Sequence, residues 1–496
     1  MRNQILWLIS LLMPQIALAT QSEFLNTFSK NPQLASQIIP TKSRIQKTQL
    51  FSQKEIDRRD FVRIKDKYRT ELFCKGIAPG NDCHERPTFE PLQLSTDFSQ
   101  INSFLGFQIE KNIFNLSNLE TGSVAIVPWA GHYWPMAEGG IGVRYNDPAF
   151  PYAGDFKIHY DFYTQNYLKP VVPNRKELAK LSPAEKYDYL IGDGEWTLTK
   201  NVWHESKSVY DSIGSVESWM GICHGWSPAS FMMAEPKKTF DIDLQGGRGV
   251  LRVYPNDIKA LASQLWAQAD FETNFLGGRC NDKNPKMDPR GRIISKDCFD
   301  MNPASWHLTL LHWVGLQRWS FVFDATYDYE VWNQPISSYK IKYFNPLNSQ
   351  YGTLNDSLIP YSNIPGDYFK NYRSQRVKYL VGVESEISYV EEDEEPNAKD
   401  SSLDPYEHVV KVSYYYDLEL DENYNIIGGE WYQQAHPDML WKPAPRSWAR
   451  VAGEENLPAW NGLLPVNGDF FRLGLMGSWQ GLPLSKIVLK LNEWAQ

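Results

Sequence analysis

The sequence predicts an α+β fold with a β-rich C-terminal region. Three observations point there. Between about residues 104 and 345, strand-like and helix-like stretches alternate. From residue 376 onward, runs with a two-residue period take over. Polar or Gly/Pro-containing turns separate these runs, and no internal repeat is visible.

Taken in order, residues 1–19 read as a removable export signal. Arg2 supplies a basic start, residues 5–12 an apolar run, and Ala17-Leu18-Ala19 the small residues a signal peptidase needs. The run is well short of the roughly 20 residues that span a bilayer, so no membrane span is expected once it is removed. The export expected is to the periplasm or outside the cell. Residues 20–100 are polar and rich in Lys, Gln, Ser and Thr, as in an arm or propeptide-like segment. Residues 101–346 form the predicted catalytic core, and residues 347–496 the β-rich region.

Within the core, Ser182-Pro183-Ala184-Glu185 has the form of a capping box with proline at the first helical position, opening a helix through Leu190. Asn256 or Asp257 is the expected cap of another helix, with Ile258, Leu261, Leu265 and Trp266 on one buried face. Residues 302–324 read as two strands joined by a turn near residues 315–318. In the C-terminal region, 377–390 and 408–420 read as strands flanking an acidic segment, residues 391–405. That segment lacks the spaced ligands and glycine of a calcium loop and is expected to be a solvated hairpin loop. Residues 421–423 turn the chain into Ile426-Ile427-Gly428-Gly429.

Composition excludes several functions. A formal charge of −9 offers no basic stripe for nucleic acid. There is no Gly-rich phosphate loop, no Gly-x-Ser-x-Gly elbow, no His-Glu-x-x-His pair and no Cys-x-x-Cys site. Tryptophan (18), tyrosine (27) and phenylalanine (24) are abundant, which suits sugar-stacking surfaces as well as a large core.

The five cysteines carry more information. Cys74 and Cys83 flank one turn-rich loop, Cys280 and Cys298 another, and an exported chain meets an oxidising compartment. Those two disulfides leave Cys223 as the odd thiol. Gly221 and Gly225 bracket it, and Ser227-Pro228 reads as a helix start. Cys223 therefore sits just before a helix or in its first turn, where free N–H groups and the helix dipole favour a thiolate. A thiol nucleophile needs a base, and the base an orienting group. His307 and Asp324, facing each other across the predicted hairpin, are the expected pair. His312 falls on the opposite strand face, and His224 diverges from its neighbour on a helix.

Further motifs give this reading a family. Gly221-Ile222-Cys223-His224-Gly225-Trp226-Ser227-Pro228-Ala229 resembles the nucleophile segment of the transglutaminase elicitor family, the oomycete cell-wall transglutaminases and their bacterial relatives. Val331-Trp332-Asn333-Gln334-Pro335 is similar to the core of that family's elicitor peptide. Ile426-Ile427-Gly428-Gly429-Glu430-Trp431 and His436-Pro437-Asp438-Met439-Leu440-Trp441 resemble its C-terminal signature, and Trp129-Ala130-Gly131-His132-Tyr133-Trp134-Pro135 an earlier aromatic motif.

The resemblance implies a papain-like, transglutaminase-like core and isopeptide-bond formation between glutamine and lysine side chains. The partners would be protein substrates: a glutamine donor and a lysine or other primary amine acceptor. Cys223, His307 and Asp324 would form the catalytic triad, with Trp129 or Trp134 lending an N–H to the oxyanion. The elicitor segment is expected at the surface, which keeps Trp332 and Pro335 out of the chemistry. No cofactor is demanded, no metal site is assigned, and calcium is left open. Deamidation and proteolysis would use the same triad, and a secreted carbohydrate-active or carbohydrate-binding protein is the alternative of another class.

Overall fold

The computed structural model describes residues 21–46 and 98–496, except 168, 170, 279–281, 283–284, 289–292, 294–300, 327–328, 393–407 and 445–446. The expected export signal, the four cysteines of the expected disulfides and most of the acidic segment lie outside the described residues.

The described strands are β1 (Ser43–Gln46), β2 (Thr121–Ser123), β3 (Phe240–Asp243), β4 (Val250–Val253), β5 (Thr273–Gly277), β6 (Val322–Asp324), β7 (Asn333–Phe344), β8 (Tyr351–Gly352), β9 (Ile359–Pro360), β10 (Tyr379–Val390), β11 (His408–Leu420), β12 (Ile426–Trp431) and β13 (Met439–Pro443). The described helices are α1 (Gln21–Lys30), α2 (Pro32–Ser36), α3 (Ile101–Leu105), α4 (Phe156–Asn166), α5 (Arg175–Leu178), α6 (Pro183–Ile191), α7 (Thr197–Ile213), α8 (Cys223–Met232), α9 (Pro255–Gln268), α10 (Pro303–Thr309), α11 (Leu354–Ser357), α12 (Gly468–Trp479) and α13 (Ser485–Trp494).

An antiparallel sheet organises the molecule. Its main path is β1-β11-β10-β7-β6-β13-β5, with β12 also on β11. The pairings along it are antiparallel. β10 and β11 form the expected hairpin, in register from Tyr379↔Leu420 to Val390↔Val409. The sheet takes strands from both sides of residue 346, so that boundary divides the sequence by composition and not the sheet. The polar arm contributes too, since β1 pairs with β11.

Side chains alternate across the sheet, and two cores result. Val322 and Trp441 face a core built with α6, α8, α9, α12 and α13. Their neighbours Phe323 and Leu440 face a second core that contains Trp306 and Leu308 of α10. Along β7 the register slips where Ser388 pairs with Ser338 but Tyr389 pairs with Ile336. This β-bulge inverts the alternation of β7. Tyr339, Ile341 and Tyr343 share the second core with Ile336, and Asn333 is left on the first face.

The local helix signals hold with adjustments. Ser182 and Glu185 form the capping box of α6, which ends at Gly192 with φ 88°. Asp257 is the third residue of α9 and accepts from the Tyr254 backbone N–H at 2.7 Å, so the helix opens at Pro255. Asp257 also accepts from Lys186 Nζ at 2.5 Å and Tyr145 Oη at 2.7 Å, a buried knot that locks α6 to α9.

The expected strand hairpin at 302–324 is overturned. Asn302 caps α10, Pro303 sits at its first position, and residues 310–316 continue as a π-helical turn. Only residues 322–324 form a strand. The run is apolar on nearly every position because the helix is buried all round, which hides its period.

Candidate active site

Cys223 is the first residue of α8, and its side chain is 4% exposed. The expected cap Ser227 and helix-opening Pro228 lie inside this helix instead. Ser227 Oγ donates to the Cys223 carbonyl at 2.9 Å and also bonds the Asn333 carbonyl of β7. Gly225 lets α8 cross α9, because a Cβ there would stand 2.1 Å from the Ser263 carbonyl oxygen and 2.6 Å from Ala267 Cβ. Gly221 lets the chain pass the Tyr133 carbonyl, 2.5 Å from its Cβ position. The glycines thus serve backbone packing around the thiol.

The Trp129–Pro135 motif brackets both ends of α8. The Trp129 N–H donates to the Ser230 carbonyl at 3.3 Å, and its indole Nε1 to the Met233 carbonyl at 3.1 Å. The Ile222 N–H, just before Cys223, donates to the Tyr133 carbonyl at 2.7 Å. Lys259 of α9 holds the motif by donating to the Ala130 carbonyl at 2.6 Å. Trp129's indole is therefore committed to the end of α8. Trp134 sits at φ 52° and is buried, with no protein partner for its Nε1 among the described residues; its ring packs near Tyr145.

Three adjacent strands present polar groups to Cys223. Asn333 of β7 donates from Nδ2 to Cys223 Sγ at 3.5 Å. Its Oδ1 accepts from Trp441 Nε1 of β13 at 2.8 Å. Asp324 of β6 pairs with Asn333 in the ladder and alternates onto the same face. The Val331 carbonyl accepts from Sγ at 3.6 Å. Tyr133 and the half-buried Trp332 pack together beside this group, ring centroids 5.4 Å apart. The elicitor-like segment, expected at the surface, is instead mostly buried and forms a wall of the thiol site.

Burial pushes the Cys223 thiol up to about 11, helped by the negative charges of Glu392 and Asp324 and opposed by the Asn333 amide. So placed, the group is a neutral thiol at pH 7. Glu392 follows β10 and accepts from Gln334 Nε2 at 2.6 Å. Although the residue is half-buried, its Oε1 is shut away from solvent, and burial pushes its carboxyl up to about 7.

His307 stands elsewhere. It is fully buried on α10, on the second face of the sheet, and its Nδ1 meets the Tyr416 hydroxyl of β11 at 2.9 Å. Burial, with His312 adding to it, pushes its imidazole down to about 3. Asp324 does not orient it. Asp324 Oδ1 accepts from the Thr326 N–H at 3.1 Å, the Thr326 hydroxyl at 2.8 Å and the Trp332 N–H at 2.9 Å, closing the loop between β6 and β7. The structure thus brings Cys223 and Asp324 to one face and leaves His307 on the other. The expected triad needed the hairpin that the helix replaces. His224 is exposed on α8. Asn333 and Trp441 were missed as site residues, although both lie within the quoted motifs.

Among the described residues, no group of three or more His, Cys, Asp or Glu side chains could hold a metal ion. No described helix is long and apolar enough to cross a membrane.

The family model described as transglutaminase elicitor matches residues 97–457. The crystal structure of the GP42 transglutaminase from Phytophthora sojae is similar at 22% identity and a TM-score of 0.49, covering 78% of this chain and 98% of that one. A search of curated proteins finds no match. A match over most of its length, holding the nucleophile segment, the elicitor-like strand and the C-terminal signature, establishes that the chain belongs to the transglutaminase elicitor family.

Proposed function

We propose that this chain is an exported protein-glutamine γ-glutamyltransferase that works through a thioester on Cys223. One observation carries the reading: the single thiol among the described residues heads α8, on a face where the Asn333 amide, held by Trp441, meets it, in a chain of this family. Cys223 Sγ adds to a glutamine side-chain carboxamide, the C–N bond breaks, and ammonia leaves with the proton taken from the thiol. A lysine amine then attacks the thioester carbonyl and displaces Sγ, which recovers a proton, and an isopeptide bond remains.

A thiol held near 11 needs a proton acceptor. Glu392 is the group assigned here, in place of His307. Its carboxylate accepts from Gln334, the neighbour of Asn333 on β7, and a carboxyl that burial pushes up to about 7 suits a base that must both take and return a proton. Asp324 holds the loop that carries Val331 and Trp332. Burial of the thiol beside Tyr133 and Trp332 limits water, which favours an amine over hydrolysis of the thioester.

The test is incorporation of a fluorescent primary amine into a glutamine-rich protein by the full chain and by Cys223→Ala, with and without calcium. Incorporation lost in the variant is expected. Ammonia release without incorporation would make the protein a deamidase instead. A calcium requirement would assign a cofactor that the described residues do not reveal.

A further inference from the structure

We infer that the side-chain amide of Asn333 is the oxyanion donor for the chemistry at Cys223, held in its working orientation by Trp441. The inference rests on the acyl-transfer reading and names a group which that reading leaves unassigned.

Orientation is settled by donor chemistry. An indole Nε1–H can only donate, so the Asn333 atom 2.8 Å from Trp441 must be the carbonyl oxygen. The amide nitrogen therefore turns to the thiol, 3.5 Å from Sγ. The backbone of Asn333 is tied as well. It pairs with Asp324 in the ladder, and its carbonyl accepts from Ser227, one turn into the helix that Cys223 heads. Donor and nucleophile are thus held by adjoining elements, and the bulge in β7 is what aims this residue, rather than Gln334, at the thiol face.

When Sγ bonds to the carboxamide carbon, the C=O π pair moves onto oxygen. That oxygen lies one bond beyond the atom bonded to sulfur. A donor already within contact of Sγ reaches it with little movement, and two N–H bonds serve both atoms. As the tetrahedral species collapses, the pair returns to carbon, the C–N bond breaks and ammonia departs. The amide donor is pre-oriented and buried, which is the condition under which such a donor lowers the barrier most. Asn333 touches the reacting sulfur and so counts as a catalytic residue.

The experiment uses the full chain carrying Asn333→Ala, Asn333→Asp or Trp441→Phe. Three quantities are read: kcat and KM for amine incorporation, the pH profile of Cys223 alkylation by iodoacetamide, and the melting temperature. Asn333→Ala should lower kcat by about 10²–10³-fold with KM little changed. It should also move the alkylation profile up by roughly one pH unit, the size of one lost hydrogen bond to a thiolate. Asn333→Asp should move the profile further, by adding a negative charge. Trp441→Phe, which leaves Asn333 in place, should lower kcat by about tenfold.

A folded Asn333→Ala chain with kcat within threefold of the parent would overturn the inference, as would an alkylation profile that superimposes on the parent's. If the parent chain incorporates no amine, the acyl-transfer reading fails. The alkylation arm then still decides whether Asn333 acts on the sulfur.

Discussion

The two faces of the central sheet hold the two groups the sequence pairs, and they treat them in opposite ways. On the first face, Cys223 meets an amide N–H, the Val331 carbonyl and a thin aromatic rim. On the second, His307 lies in a sealed core between Trp306 and Leu308, with one hydroxyl partner and an imidazole that burial keeps neutral to about pH 3. The contrast teaches that the order Cys, His, Asp along a chain does not make a triad. The parity of each residue on its element does, and on β6 and β7 that parity favours Asp324 and Asn333.

The comparison breaks first at the nucleophile. Cys223→Ala should lower amine incorporation by about 10³-fold or more while the melting temperature stays near the parent's, because a small buried side chain replaces another. Residual incorporation within tenfold of the parent would move the chemistry off this face.

Glu392→Gln tests the proton acceptor. A base must be deprotonated, so kcat/KM of the parent should rise with pH through about 7, where Glu392 titrates in the folded chain. The variant should lose about 10²-fold in kcat and that acid limb with it. An unchanged pH profile would remove Glu392 from the mechanism.

On the second face the expected effects are on stability. Lys442 lies there, fully buried over the Trp313 ring at 4.1 Å, and burial pushes its ammonium down to about 7. A folded pKa below the unfolded one means that the unfolded chain binds the extra proton between about 7 and the ordinary lysine range. Stability is therefore lost as pH falls through that window. Lys442→Met should raise stability at pH 7 by about 1–3 kcal/mol in urea unfolding, and a loss of that size would contradict the burial argument.

His307→Gln is the smallest effect on activity and the sharpest on location. It should cost about 1–3 kcal/mol of stability through the lost Tyr416 contact and leave kcat per folded molecule within threefold. His307 stays neutral in the fold down to about 3 but protonates near its ordinary value when unfolded. The parent's advantage over the variant should therefore shrink by up to about 1.4 kcal/mol per pH unit as pH falls below about 6.5. Glu392 titrates with the opposite sign in part of that window, so the difference between the two chains is the quantity to read.

Several parts of this molecule are legible from sequence for local reasons. The capping box at Ser182 and the hairpin of 379–390 with 408–420 depend on local sequence alone, whereas the helix at Cys223 starts earlier than its Ser227-Pro228 signal. The identity of His307 as helical was hidden because α10 is apolar on all sides, and a strand gives the same pattern. Asn333 was hidden for a different reason. Its direction depends on one bulge in β7, and its orientation on an indole more than one hundred residues away. Asn333 and Trp441 were nevertheless marked, since the elicitor-like segment contains the first and the C-terminal signature the second. The expectation of a surface role kept the first from being read as chemistry.

The most direct test of this account is amine incorporation by the parent and His307→Gln, side by side, at a pH where both remain folded. Equal incorporation per folded molecule is the predicted result, and it would place the chemistry on the Cys223 face alone. A loss of 10²-fold or more with an intact fold would contradict the account, and would mean that the catalytic state brings His307 across to the thiol.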